Sequence, residues 1–173
     1  MRRAALAAAL AVNAAVSAVV ALPVLPVRVL AGTIIPDANQ GTSDQIGWPV
    51  YVRQITEVVR ALPVGDRARA VVITGNYGEA GALDRYGEGL PPVVSGQNEL
   101  WYRSRPPDGA TVAVVVGIGN PVLLGGAFRS CEVVRHLDNG VDVPNEEQDY
   151  DVRVCRDPTA PWAALWPSFQ HHS

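Results

Sequence analysis

Residues 69 to 86 read RAVVITGNYGEAGALDRY, and their reading decides the fold. Arg69 to Thr74 is a short apolar run rich in β-branched side chains, the composition of a strand buried on both faces. Gly75-Asn76-Tyr77-Gly78-Glu79-Ala80-Gly81 then turns the chain, and the residues through Tyr86 suit a short helix. Strand, glycine-rich turn and helix in succession are the opening of an α/β unit. Upstream, Trp48, Tyr51, Val52, Ile55, Val58, Val59 and Leu62 recur at steps of three and four, which predicts an amphipathic helix from about Trp48 to Leu62. Pro49 fits its first turn and Pro63 ends it. Downstream, Pro92 to Ser95 reads as a second strand, and TVAVVVGI, Thr111 to Ile118, as a central strand covered on both sides. Pro121 to Ser130 suits a helix. Glu132 to Leu137 and Asp151 to Cys155 suit strands, and Pro161 to Phe169 a final short helix. The pattern predicts an α/β three-layer sandwich with a mostly parallel sheet, occupying residues 48–173.

Ahead of this domain lies a different kind of sequence. Met1-Arg2-Arg3 precedes Ala4 to Leu22, nineteen residues without a charge, which as a helix would reach about 30 Å. The first reading is one N-terminal transmembrane helix or signal anchor within residues 1–30, its Arg pair cytoplasmic and everything beyond it extracytoplasmic. A cleaved signal peptide is the alternative, with Val16-Ser17-Ala18 offering the small residues of a cleavage site, and it would leave a secreted domain. Either way the domain is expected to be exported. Leu22 to Thr42 has three prolines and two glycines and no helical period, so it reads as an extended connector leaving the leader, with residues 31–47 as the Pro/Gly-rich stretch between leader and domain.

Composition narrows the function. The chain has 173 residues, 48% of them hydrophobic, and carries 14 basic residues, all Arg, against 17 acidic ones. Setting aside Arg2, Arg3 and Arg28 leaves 11 Arg against those 17 acids, a balance that argues against a nucleic-acid partner. Cys131 and Cys155 lie 24 positions apart and form no C-x-x-C motif, which excludes a zinc ribbon and a thioredoxin-type centre. In an oxidising compartment the two can pair.

Three groups of residues invite a functional reading. The turn Gly75, Asn76, Tyr77, Gly78 and Glu79 can face a ligand with its backbone, a neutral sugar or polar group rather than a phosphate, because Glu79 would repel an anion. Its spacing matches neither the dinucleotide fingerprint nor the Walker pattern, and a tight turn packing a helix on the sheet is the plainer reading. Gln97, Asn98, Glu99 and Trp101 follow the second strand, where open α/β sheets place ligands, and amides beside an aromatic ring suit a sugar. Packing of Trp101 and Tyr102 on the domain flank is the alternative. Asp142, Glu146, Glu147, Asp149 and Asp151 supply many oxygens but not the EF-hand spacing, so no metal is assigned. His136 stands alone, His171 and His172 adjoin the C-terminus, and Ser95 is in no nucleophile elbow, so no catalytic residue is assigned and no cofactor is implied.

Beyond these readings, GWPVYVRQI (47–55), ITGNYGEAGALDRYG (73–87), LPPVVSGQNELW (90–101), Asn145-Glu146-Glu147 and VCRDPTAPWAALWPSFQHH (154–172) resemble consecutive stretches of the C-terminal soluble region of actinobacterial multi-spanning membrane glycosyltransferases. These enzymes are of the glycosyltransferase family 39, or protein-mannosyltransferase-like, group. The resemblance implies an extracytoplasmic C-terminal domain of an enzyme that uses polyprenyl-phosphate-linked sugars. Family members carry their catalytic acid in an early extracytoplasmic loop, and no position here matches it, so the chain alone is expected to be inactive, as a truncated or split product would be. The implied partners are the membrane, a glycan and a membrane-embedded glycosyltransferase half. Two alternatives stand beside this one: a stand-alone exported glycan-binding module, and an accessory subunit of a multi-spanning glycosyltransferase.

Overall fold

The computed structural model describes residues 2–22 and 25–172. Pro23 and Val24, part of the expected connector, lie outside the described residues, as do Met1 and Ser173. The chain divides into two compact units, one of residues 1–47 and 138–148, the other of residues 48–137 and 149–173.

In the first unit, helix α1 spans Arg2–Ala21, the place expected for a membrane span. Among the described residues, however, no helix is long and apolar enough to cross a membrane. The run is built largely on Ala, whose single methyl contributes little transfer energy. Ser17 Oγ donates to Asn13 Oδ1 at 3.1 Å, one turn away on the same helix, which pairs two polar side chains but does not make them apolar. The connector is not extended. It winds into three four-residue helical turns, Val27–Leu30, Ile35–Ala38 and Gln40–Ser43, and Pro36 sits in the first turn of the second, where a proline is tolerated. Thr33 Oγ1 accepts a hydrogen bond from Ile35 N at the same bend. Leu30, Ile35 and Val143 form a small core. Asn139 Nδ2 donates to Val143 O at 2.6 Å, and Asn145 Nδ2 to Ile46 O at 3.1 Å.

The second unit is the α/β domain. Helix α2 (Trp48–Ala61) leads to strand β1 (Ala70–Thr74), helix α3 (Tyr77–Tyr86) and strand β2 (Val93–Ser95). Strand β3 (Val112–Val116) is followed by helix α4 (Pro121–Ala127). Strands β4 (Phe128–His136) and β5 (Asp151–Pro158) complete the sheet. A helical turn at Trp162–Leu165 runs into a 3-10 turn at Trp166–Phe169.

The sheet order is β2-β1-β3-β5-β4. β1 pairs in parallel with both β2 and β3, while β5 pairs antiparallel with both β3 and β4. The sheet is therefore mixed, and the expectation of a mostly parallel sheet is corrected. Four strands run one way and β5, inserted between β3 and β4, runs against them. The cause is the connection: no crossover helix separates β4 from β5, and a chain that returns without one must pair antiparallel.

Alternation along the central strands feeds two cores. Val72, Val112, Val114 and Val116 face Val52, Ile55, Val59 and Leu83 of α2 and α3. Val71, Ile73, Val115 and Cys155 face Leu124 of α4 together with Trp162, Trp166 and Phe169. Both β1 and β3 are buried along their whole length, which is why their sequences show no polar alternation.

Candidate functional site

β1 and β3 are parallel neighbours whose following helices pack on opposite faces, α3 with α2 in one core and α4 in the other. The chain thus parts in two directions at their carboxyl ends, and such a switch point leaves a crevice where open α/β sheets bind ligands. Two glycines let its floor close. A methyl group on Gly75 would overlap the carbonyl of Gly117, and one on Gly117, whose φ is +70°, would overlap the Glu79 carboxylate. Only glycine suits both the left-handed backbone and this approach at position 117.

Glu79 is fully buried. Its Oε2 accepts from Gly75 N at 2.7 Å and Asn76 N at 3.1 Å, while Asn76 Oδ1 accepts from Glu79 N at 2.8 Å. This is a complete capping box, in which each side chain satisfies a donor that the first turn of a helix leaves over. The Tyr77 amide donates to Gln97 Oε1 at 2.7 Å. The α3 N-terminus is thus occupied by the protein's own oxygens. Tyr77 itself is exposed, and Gly78 packs on the Trp48 ring.

The last residues close over this turn. His171 N donates to Gly96 O at 3.1 Å, Asn98 N donates to His171 O at 3.0 Å, and Gln97 and His171 form an isolated parallel bridge. The His171 ring places Nε2 2.6 Å from Gly75 O and Nδ1 2.9 Å from Phe169 O, and His172 Nδ1 lies 3.3 Å from Asn98 Oδ1. Of the sequence-derived candidates, then, Gly75, Asn76, Tyr77, Glu79, Gln97 and Asn98 come together in one hydrogen-bonded cluster. Glu99 is exposed. Trp101 turns inward on the other core: its Nε1 donates to Trp166 O at 3.0 Å, and Trp166 Nε1 returns the bond to Trp101 O at 3.2 Å.

Beside the cluster is a crevice of about 300 Å³ lined by Gly75, Gly117, Ile118, Gly119, Asn120 and Leu123 on one side and Ser168 to His171 on the other. A second crevice, of about 350 Å³, lies across the same Gly117–Gly119 loop against Tyr150 and the Asp151–Arg153 ion pair. Asn120 caps α4, accepting from Val122 N and Leu123 N at 3.1 Å each. Sequence reasoning passed over this second loop. Its signal was present: VVVGIGNP is again a strand feeding a glycine turn, with Asn at the cap and Pro in the first helical turn.

Cys131 and Cys155 are directly opposed on β4 and β5, and their sulfurs are bonded. Among the described residues no group of three or more His, Cys, Asp or Glu could hold a metal ion. Comparison with protein-family models, curated proteins and solved structures finds no match to this chain.

Proposed function

We propose that the chain is an exported, non-catalytic α/β domain of the kind that follows the membrane half of glycosyltransferases using polyprenyl-phosphate-linked sugars, and that it serves such an enzyme in glycan handling rather than in transfer itself. One observation carries the reading. The separate stretches that resemble those enzymes, ITGNYGEAG, SGQN and the final WPSFQHH, meet at one sheet end, joined through Tyr77 N to Gln97 Oε1, His171 N to Gly96 O and His171 Nε2 to Gly75 O. Motifs scattered over some hundred residues thus belong to one constellation. The Cys131–Cys155 bond supports export, since disulfides persist in oxidising compartments. The positively flanked leader supports delivery across a membrane, with the domain on the extracytoplasmic side, held there by the leader or released by its cleavage.

The test is direct. Membranes containing this chain as their sole glycosyltransferase-related protein, given polyprenyl-phosphate sugars and an acceptor glycan, show no transfer above background. Turnover overturns the reading. N-terminal sequencing of the exported protein separates an anchor from a cleaved signal, because cleavage would begin the mature chain near Val19.

A further inference from the structure

We infer that the switch-point crevice binds one ring of a neutral sugar, with the Gly117–Asn120 turn as its shelf. Choosing a sugar among neutral polar molecules rests on the function proposed above; the chemistry of the walls is independent of it. The crevice holds about 300 Å³, the lower end of the range for small-molecule pockets. Asn120, Ser168 and Gln170 bring two amides and a hydroxyl to it, while Ile118 and Leu123 bring aliphatic carbon. Asn120 Oδ1 is committed to its cap, Ser168 Oγ donates to Leu165 O and Gln170 Nε2 to the Tyr102 hydroxyl, so these side chains offer ring hydroxyls the Asn120 amide N–H as donor and the Ser168 and Gln170 oxygens as acceptors. Half-buried aliphatic side chains match the C–H face of the ring. The turn itself presents peptide groups, since Gly117 and Gly119 have no side chains to stand in front of them.

The walls of the crevice select against an anion. The helix N-terminus beside the crevice is capped by Asn120, and that of α3 by Asn76 and Glu79, so the Val122, Leu123 and Glu79 amides are already engaged. The Glu79 carboxylate lies directly behind Gly117. A phosphate in the crevice would face that carboxylate across a glycine.

Gly119 makes the assignment testable. It is exposed, its φ lies outside the left-handed region, and a Cβ added there meets nothing within 4 Å. Gly119→Val therefore sets its Cβ in open space and its branched methyls at the crevice mouth. The full chain, in a detergent free of sugar such as lauryldimethylamine oxide, is titrated with methyl α-D-glucopyranoside and methyl α-D-mannopyranoside, with inorganic phosphate as the anionic arm. Saturation-transfer NMR and calorimetry report binding. The expected result is a Kd of about 1 mM for at least one hexoside, no competition from phosphate, and a loss of about tenfold or more in Gly119→Val with its unfolding midpoint unchanged. Gly109→Ala, another glycine with open space at its Cβ but outside the crevice lining, leaves binding as it was. If Gly119→Val unfolds, Gln170→Ala takes its place, with the same loss expected. Absence of hexoside binding, undiminished binding by these variants, or displacement by phosphate overturns the assignment. Failure here leaves the proposed non-catalytic role standing, whereas sugar transfer by the chain alone would overturn that role and leave the crevice result intact.

Discussion

Replacing Glu79 by Ala tests whether the most distinctive buried acidic side chain serves the fold. The wild-type carboxylate takes two backbone donors, Gly75 N at 2.7 Å and Asn76 N at 3.1 Å, in a fully buried position. An intramolecular hydrogen bond contributes about 1 kcal/mol net, and a donor left unmade in the interior costs about 1–3 kcal/mol. Water entering the vacated space recovers part of this, so the net loss works out at about 3 kcal/mol, or a fall of about 10 °C in Tm for a domain of this size. Glu79→Gln keeps one oxygen and the shape, and should cost about half as much. The assay is urea unfolding followed by tryptophan fluorescence. It is well placed because Trp48, Trp101, Trp162 and Trp166 all lie in the α/β unit. Asn76→Ala alone should cost about 1 kcal/mol, and the double variant should cost less than the two singles together, because the box is reciprocal. A Glu79→Ala midpoint within about 0.5 kcal/mol of wild type would refute the capping role.

Three further outcomes follow. Removing the Cys131–Cys155 bond, by Cys131→Ala with Cys155→Ala or by reductant, should lower stability by about 3 kcal/mol for the 24-residue separation, read as a shift in guanidinium midpoint; equal midpoints with and without reductant would show that the bond does not form. Gly117→Ala should cost more than about 2 kcal/mol, from its positive φ and its overlap with Glu79, whereas Gly119→Ala should stay within about 0.5 kcal/mol; parity in thermal unfolding would contradict the packed floor. Burial holds the Asp44 carboxyl above its usual value, so the folded state binds that proton more tightly than the unfolded one; its contribution is present in acid and lost as pH rises through the raised pKa. Asp44→Asn should therefore stabilise at neutral pH and make no difference below the ordinary Asp range, and a gain that persisted unchanged into acid would exclude Asp44 as its source.

Local patterns carried most of the α/β architecture. The stripe from Trp48 to Leu62 marked α2 because one face of it is buried, and the β-branched runs at Ala70 and Val112 marked the central strands because nothing polar survives on either side. The direction of β5 was not legible in the same way. A strand's residues do not state which way it runs, and only the helix-free return from His136 carried a hint. β4 begins at Phe128, earlier than its composition suggested, because most of its side chains are exposed and an edge strand lacks the alternation that a one-sided core imposes. His171 adjoins the C-terminus, a place with no pattern to mark a site, yet its ring meets Gly75 across 96 positions. Pairings at that separation leave no trace in spacing. The glycine turn after β1 drew notice and the one after β3 did not, although the switch point needs both.

The insertion of β5 has a consequence in time as well as space. β3 and β4 run the same way but do not touch, and the gap between them is filled by residues that leave the ribosome some fifteen positions after β4 ends. A chain threaded outward from its N-terminus therefore exposes Cys131 on an unclosed ladder before its partner arrives. Until then the sheet is a three-stranded parallel piece with a bare edge at β3. Contacts of such long separation form slowly, so the final segment, which also brings Trp162, Phe169 and His171, acts as the closing stitch of the domain, and termination between β4 and β5 yields an open sheet rather than a slightly shorter domain.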